Sequence, residues 1–94
     1  MTTTDRQEIA DKISHSLIKR RYAKCVQRDH IESIYEWNGE IVTSKEYRLM
    51  IKCLAEKAHL VAEYVKEVHN YDVPEIIRVN MDGVNEEYAK WMKD

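Results

Sequence analysis

His69, Tyr71 and Glu75 fall within seven positions, between an apolar helical stripe and a stretch opened by Pro74. An imidazole, a phenol and a carboxylate this close together can do one of three things. They can ligate a divalent cation, hold a small anion through their N–H and O–H groups, or form a hydrogen-bonded network that fixes a helix–strand turn. Lys52, on what reads as an adjacent strand, adds an ammonium group. Trp37 and Trp91 could wall such a group if they came from a second copy of the chain. The cluster Lys52, Tyr71, Glu75, Trp37 and Trp91 would then be an intersubunit pocket, with His69 as its metal ligand.

The remaining chemistry-bearing residues are sparse. Cys25 and Cys53 are weaker metal candidates; each sits among apolar neighbours, where a free cysteine behaves as a small hydrophobe. Two cysteines make no disulfide scaffold and suit a reducing, cytosolic compartment. His15, His30 and His59 are scattered, and no His-x-x-x-His or Cys-x-x-Cys pair marks a zinc site. With two glycines in the chain there is no phosphate-binding loop and no nucleophile elbow, so the expectation is a protein that is not an enzyme. A Cys25–His69 dyad has no support in the spacing. Tyr88, Trp91 and Met92 form an apolar helical stripe that suits packing.

The elements that must position these groups follow from periodicity. Thr4 or Asp5 can cap a first helix, with Glu8 as capping-box partner; Ile9, Ile13 and Leu17 carry its stripe over about residues 5–21. Strand sequence starts at Ala23, breaks at Gln27–His30 and resumes at Ile31. Asn38-Gly39 is a strong hairpin signal, since a type I′ turn needs positive φ at both central residues. The return strand runs from Glu40 to about Leu54, and a second helix spans about Glu56–His69. Pro74–Asn80 reads as a strand and Glu86–Lys93 as a short helix. One strand in front completes the ferredoxin-like βαββαβ order of an α+β fold, a single domain over residues 1–94. Only residues 1–4 can supply it, so the first strand reads as truncated.

A two-residue turn sets Tyr35 opposite Val42, Trp37 opposite Glu40 and Cys25 opposite Lys52, with Ile34 and Ile41 on the other face. A bulge at Gln27–His30 would bring the two cysteines to one face. An unbroken return strand would be roughly 50 Å long, against a diameter of roughly 30 Å for a chain of this size. The hairpin must bend or project. A projecting tip bearing Ile34, Tyr35, Trp37, Ile41 and Val42 on its two faces calls for a covering chain, hence an oligomer.

The formal charge of −2 disfavours a nonspecific nucleic-acid partner, and the basic cluster Lys19, Arg20, Arg21, Lys24 and Arg28 suits a helix C-terminus. No apolar run is long enough to span a bilayer, and the first 20 residues have no signal-peptide pattern.

Five segments carry a resemblance to a known family. Ser33-Ile-Tyr-Glu-Trp-Asn-Gly-Glu-Ile41 and His69-Asn-Tyr-Asp-Val-Pro-Glu-Ile76, with Ala23–Val26, Met50–Lys52 and Glu87–Trp91 in the same order, resemble the CutA divalent-cation tolerance family from about Thr2 to Trp91. The resemblance implies a homotrimer whose hairpins reach neighbouring subunits. It also implies weak binding of Cu(II) or another divalent cation that folding does not require, and a role in metal tolerance. The ligands ascribed to bacterial members, a cysteine and a His-His pair, map to Thr2, Val68 and His69, so only one donor of three is kept. The alternative is a PII-like regulatory module, similar in fold and trimeric form, that holds a small anionic effector between subunits.

Overall fold

Asn38 and Gly39 take φ of 52° and 80°, the paired left-handed conformation of a type I′ turn. In the computed structural model, which describes residues 1–94, that turn joins β2 (Cys25–Trp37) to β3 (Glu40–Lys52). The two strands pair without interruption from Trp37↔Glu40 to Cys25↔Lys52. The register deduced from the turn holds, and the bulge does not form.

The expected break at Gln27–His30 is therefore absent, for a physical reason. Three of the four polar residues there, Arg28, Asp29 and His30, have a partner. Arg28 reaches Asp11 of the first helix at 2.5 Å. Asp29 accepts from two guanidinium nitrogens of Arg48, at 3.1 and 2.6 Å. The His30 ring lies 4.8 Å from that of Tyr47. A polar run reads as a loop only when its side chains have nothing to hold.

α1 spans Gln7–Lys19, two residues shorter at each end than the periodicity suggested. The expected Asp5–Glu8 capping box is not made. Arg6 is the N-cap and donates no side-chain bond; the Thr4 hydroxyl instead accepts the Arg6 N–H at 3.3 Å. At the other end Arg21 sits at φ 61°, where glycine is usual, and Tyr22 N–H bonds the Leu17 carbonyl. Lys57 locks this cap by donating to the Arg21 carbonyl at 2.6 Å. The second helix begins as a 3₁₀ turn at Ala55–Lys57 and continues as α2, Ala58–Val68, with His69 as C-cap. α3 is Glu86–Lys93, as the sequence suggested.

β1 is Thr2–Thr4 and pairs antiparallel with β3 from Thr2↔Leu49 to Thr4↔Tyr47. The sheet order is β1-β3-β2. The expected strand at Pro74–Asn80 is not a ladder. It reduces to one reciprocal pair, in which the Met1 amine donates to the Ile77 carbonyl at 2.8 Å and Ile77 N–H returns to Met1 at 3.0 Å. This contact sets residues 74–80 beside β1, the position of the fourth strand in a ferredoxin-like sheet.

α1 and α2 cover one face of the sheet. Ala10, Ile13, Leu17, Ala23, Leu49, Val61, Tyr64 and Val65 form the core between them, with Tyr47 and Ile51 packed against it. The helices end near the base of the hairpin. Its distal half projects, giving dimensions of 46 × 25 × 20 Å and a radius of gyration of 14.3 Å, against about 12 Å for a compact chain of this length.

Thr2 is 1% exposed, yet its hydroxyl has no partner. An orphaned buried hydroxyl costs about 1–3 kcal/mol, and valine has nearly the same shape. Thr2→Val should therefore raise stability by about 1–2 kcal/mol, or about 4–16 °C in Tm. A melting curve unchanged or shifted down would contradict this.

Candidate functional site

The end of α2 delivers three consecutive side chains to β1 and β3. His69 sits at the C-cap with extended backbone, so its ring turns back on β1. Tyr71 N–H donates to Nδ1 at 3.0 Å, and the other ring nitrogen lies 2.8 Å from the Thr3 carbonyl. A main-chain N–H can only donate and a carbonyl can only accept. The ring is therefore the tautomer with its proton on Nε2, and both nitrogens are engaged. Asn70 accepts from the Thr4 hydroxyl at 2.6 Å and donates to Asp5 at 2.9 Å. The Tyr71 hydroxyl donates to Glu46 Oε2 at 2.7 Å, and its ring lies 4.9 Å from that of His69.

Glu46 is 7% exposed, a buried carboxylate in the middle of β3. Tyr71 compensates that burial. Desolvation, then the hydrogen bond and the negative charge of Glu46, push the phenol above its ordinary value, so it stays a donor through the physiological range. Glu46 and Asn70 are the two members of this network that the sequence did not disclose. Glu46 is one of several charges in a mixed strand, and no spacing marks it.

The other candidates lie apart. Lys52 ends β3 with its Nζ 5.4 Å from the centre of the Tyr88 ring, and Lys24 Nζ stands 4.9 Å from the centre of Trp91. Six residues of strand, roughly 20 Å, separate Lys52 from Glu46. Glu75 is exposed and lies within electrostatic range of the Met1 amine and of Arg48. Trp37 is at the far tip of the hairpin. Within one chain, then, His69 and Tyr71 meet, Lys52 and Trp91 share the base of the hairpin, and Glu75 and Trp37 join neither group.

The thiols are also separate. Cys25 faces Lys52 across the ladder, while Cys53 follows β3 and packs against the core near the Met1 amine, with burial pushing its pKa up. No three His, Cys, Asp or Glu side chains of the chain converge on a point that could hold a metal ion. The donor set of a single chain does not fit a copper centre, because its imidazole is already bonded through both nitrogens.

The basic cluster is largely engaged within the chain. The Arg20 guanidinium lies 4.4 Å from the centre of the Tyr64 ring, Arg28 pairs with Asp11 and Lys24 covers Trp91.

A split βαβ sheet carrying two helices on one face, with a long hairpin standing clear of the core, defines an α+β protein built like the ferredoxins. The particular family follows from comparison with known proteins. The profile of the CutA1 divalent ion tolerance protein family matches residues 1–94. The divalent-cation tolerance protein CutA of Pyrococcus horikoshii is 37% identical over 91 residues, covering 97% of this chain and 89% of its own. The CutA homologue of Xenopus laevis is 38% identical over 93 residues, covering 98% of this chain and 62% of its own. Crystal structures of CutA1 from Pyrococcus horikoshii and from Oryza sativa superpose with TM-scores of 0.93 and 0.92, at 37% and 35% identity. Each covers 98% of this chain, and the shares of their own chains are 90% and 85%. The chain belongs to the CutA1 divalent-ion tolerance family.

Proposed function

We propose that this chain works as a cytosolic homotrimer in divalent-cation tolerance, is not an enzyme, and binds metal ions weakly, copper first among them, near its subunit interfaces. The observation that carries the assembly is the hairpin tip. Ile34, Trp37 and Ile41 are 67%, 52% and 82% exposed, on opposite faces of a ribbon that no part of the same chain covers. The edge of β2 has no strand beside it, and Val79 and Met81 stand exposed on an extended segment at the opposite side of the sheet. Edge and segment complement one another between copies. The count of three rests on family membership.

Metal binding needs donors from more than one copy, because His69 alone is committed to Thr3 and Tyr71. Weak affinity follows, since a metal must displace the Tyr71 N–H before taking Nδ1. A second reading has its own support. Lys24 and Lys52 place two ammonium groups at the base of the hairpin, and no soft donor stands at Thr2 or Val68. Those cations suit a small anionic effector held between subunits, with Tyr71 and Glu75 of a neighbouring copy completing the pocket in this reading.

One pair of measurements separates these. Light scattering after metal removal should give the mass of three chains, and a monomer would remove both readings. Cu(II) and inorganic pyrophosphate are then titrated calorimetrically against the trimer and its His69→Ala variant. Copper stoichiometry that falls in the variant supports the metal reading; unchanged stoichiometry excludes His69 as a ligand. Pyrophosphate heat without copper heat favours the effector.

A further inference from the structure

α3 is attached to the body of the protein by an unusual set of contacts. It has eight residues, too few to be stable alone, and one buried side chain, Met92. Residues 74–85 lead into it with no regular secondary structure. Tyr88 and Trp91, one turn apart, form a tilted aromatic pair with ring centres 5.4 Å apart. This aromatic pair is flanked by two ammonium groups from the open end of the hairpin. Lys24 Nζ lies 4.9 Å from the centre of Trp91, and Lys52 Nζ 5.4 Å from the centre of Tyr88. Lys24 also donates to the Asp94 carbonyl at 3.2 Å. The two lysines are neighbours by construction, since Lys24 N–H bonds the Lys52 carbonyl.

We propose that α3 is a detachable strap, latched to the base of the hairpin by the charges of Lys24 and Lys52, and that neutralising both lysines frees the helix without disturbing the sheet. The argument rests on where the attachment comes from. A helix held by a large apolar face comes off only with its core. α3 has one buried residue, so cation–π contacts and one charge-assisted hydrogen bond form a large part of its attachment. Such contacts are each modest, and elements held this way open locally at little cost. The latch also bears on ligand capture. An anion taken by Lys52 competes with the Tyr88 ring for the same ammonium, so binding there and strap release are coupled. The strap itself depends on neither the metal nor the anion reading.

Amide hydrogen exchange on the full chain, resolved by mass spectrometry, tests the latch. In Lys24→Gln/Lys52→Gln the α3 amides should exchange about tenfold faster, equivalent to about 1.4 kcal/mol, with α1, α2 and the sheet unchanged. Lys24→Arg/Lys52→Arg should keep the original protection, because a guanidinium also sits on aromatic faces. Tyr88→Leu/Trp91→Leu, which retains apolar bulk but removes the rings, should match the glutamine variant. The proposal is overturned by unchanged α3 exchange in the glutamine variant, by equal acceleration in the arginine variant, or by acceleration that extends through β2 and β3. An α3 that already exchanges freely in the unaltered chain would overturn it as well.

Discussion

Replacing Trp37 by alanine is expected to weaken self-association about 30-fold at each interface while the single chain stays folded. The residue is 52% exposed beside the turn, and it contributes nothing to the core around Leu49. Its area is therefore available to a neighbour. Large aromatic residues at the centre of an interface commonly contribute 2 kcal/mol or more, and about 2 kcal/mol is roughly a 30-fold change in dissociation constant. In the proposed trimer, equivalent interfaces would compound the loss. Sedimentation at submicromolar concentration should show dissociated chains with an unchanged far-ultraviolet circular dichroism spectrum. An intact oligomer under those conditions would mean that the tip is not what holds the copies together.

His69→Ala should lower stability by about 2–3 kcal/mol even with no metal present. The ring joins two backbone groups that have no other partner, the Tyr71 N–H and the Thr3 carbonyl. Each half-buried group left unsatisfied costs about 1–3 kcal/mol. The damage extends to Tyr71, whose position keeps a hydroxyl on the buried Glu46 carboxylate. Thermal unfolding at fixed protein concentration measures this, and chelator in the buffer removes any metal contribution. A variant as stable as the parent would show that the turn does not need its imidazole, and would return His69 to the role of a ligand.

Much of this architecture is legible in the sequence, because local rules and the global fold agree. Asn38-Gly39 fixes the turn, the turn fixes the register, and the register correctly sets Cys25 opposite Lys52. The stripe of Ile13 and Leu17 gives α1, and the limits of α3 emerge unchanged. What sequence reasoning misses depends on partners distant in the chain. The run Gln27–His30 looks like a loop until Asp11, Arg48 and Tyr47 are in place. Pro74–Asn80 has strand composition but only Met1 to pair with. Glu46 is indistinguishable from the exposed charges of its strand until Tyr71, folded over from α2, is seen above it. The pocket residues are expected to meet between copies of the chain; within one chain, strand spacing distributes them along a molecule 46 Å in length.

The unbroken ladder of β2 and β3 constrains how such a hairpin can vary. Deleting one cross-strand pair from its shaft would shorten the reach by about 3.4 Å. It would also turn the tip over, sending Trp37 and Tyr35 to the face now held by Ile34 and Ile41. Deleting two pairs restores the faces and shortens the reach by about 7 Å. A one-residue indel in a single arm would need a bulge, and this ladder has none to absorb it. The length of the hairpin is therefore quantised in units of two pairs, for natural variation and for redesign alike.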